Sequence, residues 1–92
     1  MNLTEYIRNV LSKYVADIFD VWHYHTANYE DLSGTIKAPR AYMLTNYIAM
    51  DIQKFKQEGW HYEFHFGTPQ QSSDLFDRDW VEMSFEIEGR KK

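Results

Sequence analysis

Four histidines and fourteen acidic residues are the side chains of this 92-residue sequence best able to hold a metal or move a proton. His23 and His25 stand two apart, as do His61 and Glu63. On a strand such pairs share a face and each could offer two ligands. His61 and His65 would stand roughly 13 Å apart at about 3.3 Å per residue, too far to share one ion. A metal site would need both segments to converge. Otherwise the histidines are expected to line a polar sheet face opposite Glu82, Glu86 and Glu88.

Asp74, Asp77, Asp79 and Glu82 form a second group. A calcium loop needs carboxylates at alternating positions, a central glycine and a closing glutamate. Here the spacing differs and the glycine is missing, which leaves Asp77-x-Asp79 as a weak magnesium pair at most. There is no Gly-rich phosphate loop, Gly-x-Ser-x-Gly elbow, His-Glu-x-x-His helix or cysteine nucleophile. No catalytic residue, cofactor or resident metal is expected, and an enzyme dependent on His or Asp is the least favoured class.

The charge map says more. Net charge is −4, unevenly spread. Residues 57–89 carry eight acids against Arg78 alone, whereas residues 32–56 carry Asp51 against Lys37, Arg40, Lys54 and Lys56. On a strand, Glu82, Ser84, Glu86 and Glu88 share one face, with successive positions about 6.7 Å apart. That is near twice the roughly 3.4 Å axial charge spacing of one DNA strand. Together with Asp74, Asp77 and Asp79, and with Asp17, Asp20, Glu30 and Asp31 as extensions, these residues could form a ribbon of negative charge. Such a surface would repel phosphates, so direct nucleic-acid binding is not expected. Its partner would be a basic protein surface.

Composition bounds the rest. Hydrophobic residues make up 43% and aromatic residues 17%, which fits one globular domain over 1–92 with a large aromatic core or interface. The absence of cysteine, of a signal-peptide layout and of a bilayer-length apolar run gives the expectation of a cytoplasmic protein without membrane contact.

Five elements must position these residues. Leu3, Ile7, Val10, Leu11 and Tyr14 recur at helical spacing behind an Asn2/Glu5 capping pair. Residues 18–26 carry two signals: Ile18, Val21, Trp22 and His25 would continue the helical face, but the richness in β-branched and aromatic side chains leans to a strand. Asn28 to Ala38, with Ser33-Gly34-Thr35, reads as a loop. Pro39 then opens a long helix over 39–58, marked by Leu44, Tyr47, Ile48, Ile52 and Phe55 and ended by Gly59. Residues 60–66 and 80–88 alternate as strands around a long polar loop. The expected fold is α+β: two amphipathic helices on an antiparallel sheet of two to three strands. Two strands alone are marginal, so a third is expected from residues 18–26 or from a second copy of the chain, and a homodimer is expected.

In size, acidity and lack of cysteine the chain is similar to small phage-encoded inhibitors of host defence, including anti-restriction DNA mimics. That resemblance implies a non-enzymatic inhibitor of a host DNA-binding protein or restriction nuclease, acting through Asp74, Asp77, Asp79, Glu82, Glu86 and Glu88. The alternative is a structural or adaptor homodimer that works through an aromatic-rich interface.

Overall fold

The computed structural model describes residues 1–71 and 79–92. Helix α1 (Leu3–Lys13) starts where the Asn2 side chain accepts the Glu5 N–H at 2.9 Å, and it buries Leu3, Ile7, Val10 and Leu11. It stops in the manner of a Schellman motif, with the Ala16 N–H returning to the Leu11 carbonyl at 3.0 Å. The left-handed position this requires is filled by Val15 (φ 53), where glycine is usual.

The chain then runs into β1 (Asp17–His25), turns at Thr26 and returns as β2 (Tyr29–Pro39). Thr26 closes the turn: its N–H donates to the Tyr29 carbonyl at 2.8 Å, and its hydroxyl oxygen accepts the Tyr29 N–H at 3.1 Å. The register of the pair shifts between Phe19 and Trp22, with Asp20 left-handed (φ 54), which is a β-bulge. Gly34 lies opposite. A Cβ there would sit 3.1 Å from the Phe19 carbonyl oxygen and 3.3 Å from the Phe85 ring, so glycine lets the bulge approach without displacing either neighbour.

Two short helices, α2 (Arg40–Leu44) and α3 (Tyr47–Ile52), precede β3 (Trp60–Phe66), β4 (Gln70–Gln71) and β5 (Trp80–Lys91). The strands form one antiparallel sheet in the order β1-β2-β5-β3, with β4 also pairing β5. Leu32, Ile36 and Ala38 of β2 and Val81, Met83, Phe85 and Ile87 of β5 point to one side. They pack there with α1 and with Met43, Ile48, Ala49, Ile52 and Phe55. Tyr6 donates to the Asp51 carbonyl at 2.6 Å and Tyr14 donates to the Asp51 carboxylate, which fastens α1 to α3. The Tyr14 hydroxyl, with Lys54, holds that carboxyl below its ordinary pKa.

The expectation of two helices on two or three strands is corrected: the described residues are mostly sheet, five strands with three short helices. The expected loop over 28–38 is instead β2, a central strand. Its alternation of Leu32, Ile36 and Ala38 with Asp31, Ser33, Thr35 and Lys37 was masked by Ser33-Gly34-Thr35. The expected helix over 39–58 breaks at Asn46, which is left-handed (φ 61), and ends at Ile52. Pro39 closes β2, and Gly59 (φ 79) serves the turn into β3. Leu44 and Tyr47, expected inside, are exposed, and Phe64 is half-buried. With β2 in place the sheet needs no second copy to be complete. The strand over 18–26, the α1 helix and the β3–β5 pairing form as expected.

Two stability changes follow. Ile52 is fully buried, so Ile52→Ala should cost about 2–5 kcal/mol in denaturant unfolding. Val15 is 69% exposed and packs little, so Val15→Gly should relieve the left-handed strain and gain about 0.5–1 kcal/mol after the entropic cost of glycine. A loss of stability in Val15→Gly would mean that the valine side chain holds the turn.

Candidate functional site

Among the described residues, all three helices lie on one side of the sheet and nothing covers the other, the open face. Alternation along each strand sends Tyr29, Asp31, Ser33, Thr35 and Lys37 of β2 and Trp80, Glu82, Ser84, Glu86, Glu88 and Arg90 of β5 to that open face. β3 adds His61, Glu63 and His65, and β1 adds Phe19, Trp22 and Tyr24.

The middle of the open face is acidic. Register places Glu88 between Asp31 and Glu63, and Glu86 between Ser33 and His65. The Tyr29 hydroxyl bonds Asp31 at 3.2 Å and Glu88 at 3.4 Å, while Arg90 reaches Glu88 at 3.3 Å and covers the Tyr29 ring at 5.2 Å. Asp31 Oδ1 is buried without a donor of its own. The neighbouring Asp31 carboxylate, then desolvation and Glu88, push the Glu86 carboxyl above its ordinary pKa. A proton on Glu86 would supply the bond that Asp31 lacks.

One margin of this face is aromatic. Trp22 and Tyr24 stack at 6.0 Å with planes 6° apart, and Tyr24 meets Tyr29 at 6.1 Å. Trp22 is 56% exposed and Tyr24 48%, with Phe19 and Val21 exposed beside them. Sequence reasoning saw the aromatic richness of 18–26 but not this surface, because its position depends on pairing with β2.

On the helix side, at the hairpin end, a row runs His25–Glu30–Gly89–Tyr62 across four strands. Glu30 is 6% exposed and meets His23 Nε2 at 2.7 Å and the Tyr62 hydroxyl at 3.2 Å. Tyr62 reaches it by lying over Gly89, where a Cβ would collide with the ring. Burial, with the Glu30 carboxylate, raises the Tyr62 pKa. Alongside opens a cleft of about 540 Å³ lined by Phe55, Gln57, Gly59, Trp60, Tyr62 and Lys92 among others.

The structure divides the sequence-derived site. Asp74 and Asp77 lie outside the described residues. Asp79 sits in the turn before β5, where its carbonyl accepts the Arg40 N–H at 2.8 Å. Glu82, Glu86 and Glu88 share the open face as expected, but on a central strand and only half-exposed, not on a free ribbon. Glu30 is buried on the opposite side. His61 and His65 each lie 3.8 Å from Glu63, and His23 is tied to Glu30. Among the described residues, no three His, Asp or Glu side chains converge as metal ligands, and no helix is long and apolar enough to cross a membrane.

No protein-family model and no curated protein matches the chain. One solved structure resembles it throughout. The crystal structure of the type 4 fimbrial biogenesis protein PilO from Pseudomonas aeruginosa has a TM-score of 0.56 and 12% identity, covering 98% of this chain and 67% of that one. The likeness is one of fold. It sets this architecture beside a fimbrial biogenesis protein, and the expectation of a phage anti-restriction DNA mimic is withdrawn. The half-buried glutamates of β5 give the physical reason: Glu88 is held by Tyr29 and Arg90, and all three glutamates stand on a central strand, not presented as free phosphates are. A nuclease or DNA-binding partner has no support.

The Asp31–Glu86 contact is testable through pH. Folding raises the Glu86 pKa, so its deprotonation costs stability; the penalty is absent below the ordinary glutamate pKa and complete above the raised one. At pH 7, Glu86→Gln should therefore stabilise the fold by up to about 1 kcal/mol, the scale of cross-strand charge pairs. The gain should vanish below about pH 4. Thermal melts of both forms across pH check this, and a destabilised variant at pH 7 would contradict it.

Proposed function

We propose that this chain is a non-enzymatic interaction module that joins protein surfaces within a larger assembly, with the aromatic margin of its open sheet face as the contact. The observation that carries this reading is the position of Phe19, Trp22 and Tyr24. They lie on the open face at the sheet edge, where the contacts within one chain leave 38–56% of each residue's surface exposed. Aromatic side chains supply large rigid contact area and dominate interface energetics.

A second exposed apolar group, Tyr42, Leu44, Tyr47 and Met50, belongs to α2 and α3 and so lies on the helix side. A module with contacts on both sides of its sheet can bridge two neighbours. The likeness to PilO, described as a type 4 fimbrial biogenesis protein, supports an assembly role of that kind, in building a fibre or the apparatus that makes one. The acidic middle of the face then acts as the polar part of the interface. It selects partners that bring cations, and it contributes less to affinity than the aromatic margin.

The experiment is affinity capture from the source cells with the intact chain, with Trp22→Ala/Tyr24→Ala, and with Glu86→Gln/Glu88→Gln. The aromatic pair variant should melt like the parent and lose captured partner at least about tenfold. The glutamine variant should keep most of its binding. Undiminished capture by the aromatic variant would refute the assignment.

A further inference from the structure

We infer that the free edge of β1 pairs with the β1 of a second copy, in antiparallel register about His23, to make a continuous sheet across two chains. The inference rests on the proposal that the β1 margin is a contact surface, and names its occupant.

Among the described residues β1 ends the strand order, so one row of its backbone groups has no partner strand there. The bond from Thr26 N–H to the Tyr29 carbonyl fixes which row. In an antiparallel pair, hydrogen-bonded and non-bonded positions alternate. With Thr26–Tyr29 bonded and the register running back through His25↔Glu30, Tyr24↔Asp31, His23↔Leu32 and Trp22↔Ser33, Tyr24 and Trp22 bond inward to β2. The N–H and C=O groups of His23 and His25 therefore point out of the sheet. The bulge at Asp20 disrupts the first half of the strand, which limits a straight edge to Val21–His25. Neither proline nor lysine guards that stretch, the usual protection of an exposed edge.

A second copy supplies every pair this edge needs. With His23 bonded to its own counterpart, each Trp22 falls opposite Tyr24 of the other chain. Those are non-bonded positions, where cross-strand side chains come closest. The two Trp22–Tyr24 stacks then join into one aromatic cluster on the open face. Charge agrees. Val21–His25 carries no lysine, arginine or carboxylate, so two copies meet there without fixed like charges. A face-to-face approach would instead set Asp31, Glu63, Glu86 and Glu88 against the same carboxylates. The His23 side chain is held over the sheet by Glu30, away from the edge its backbone offers.

The contact is small. Buried aromatic side chains cover roughly 150–250 Å² each and those of β1 are about half exposed, so the pairing covers on the order of 300 Å² per copy against about 800 Å² in a standard interface. The dimer is accordingly weak, and concentration-dependent.

Sedimentation equilibrium of the intact chain over about 10–1,000 µM, with backbone hydrogen exchange at both ends of that range, tests this. The mass should rise from 11.1 kDa towards twice that value, and the His23 and His25 amides should gain protection with concentration. His25→Pro removes an outward N–H at an edge position where proline is tolerated, and Trp22→Lys places a charge at the seam. Both should stay monomeric. A monomer throughout, or a dimer that leaves these amides unprotected and survives both substitutions, would overturn the pairing. If the chain stays monomeric while Trp22→Ala/Tyr24→Ala still abolishes partner capture, the contact surface stands and the self-pairing alone fails.

Discussion

Packing of Leu32, Ile36 and Ala38 on β2 beside Val81, Met83, Phe85 and Ile87 on β5 is the contact on which the rest of the molecule depends. These two central strands pair over eleven positions, and their alternation sends every fully buried apolar residue to one side. α1, α2 and α3 have only that side to bury against. A period of two in β2 and β5 therefore decides that the sheet has a covered face and an open one. β1 and β3 are left at the edges, one carrying exposed aromatic side chains and the other a half-buried row of Trp60, Tyr62, Phe64 and Phe66.

That one-sidedness also accounts for the polar chemistry. Side chains that alternate away from the core have each other for company, and the register brings Asp31, Glu63, Glu86 and Glu88 together. Tyr29 and Arg90 offset part of the repulsion, through hydroxyl bonds and a guanidinium over the ring. Glu30 is the exception. It alternates inward at the hairpin end and stays there with His23 on one of its oxygens and the Tyr62 hydroxyl, shared with Gln57, beside the other.

The sequence made α1, β3 and β5 legible through periodicity, β1 through its β-branched and aromatic composition against a helical spacing, and the shared face of Glu82, Glu86 and Glu88 through simple alternation. β2 was hidden. Its Ser33-Gly34-Thr35 carries turn chemistry, and Glu30 falls on a core position, so local signals pointed away from a strand. Gly34 was a bulge signal: it makes room for the β1 backbone at Phe19. Losing β2 lost the register, and with it the neighbours of every glutamate and the placement of Trp22 and Tyr24 at a free edge. A ribbon of isolated charges was the natural error, because the residues that bond and cover those charges come from the strand that was missed. The second helix failed differently. Its apolar spacing continued through Thr45-Asn46, but the backbone turned left-handed there and split it.

The central claim is that the aromatic margin of the open face is where this chain meets its assembly. Photo-crosslinking in the source cells tests it most directly, with benzoylphenylalanine placed at Trp22 in one variant and at Arg8, exposed on α1, in another. The account predicts discrete protein adducts from position 22 and none from position 8. Adducts from Arg8 with none from Trp22 would contradict it.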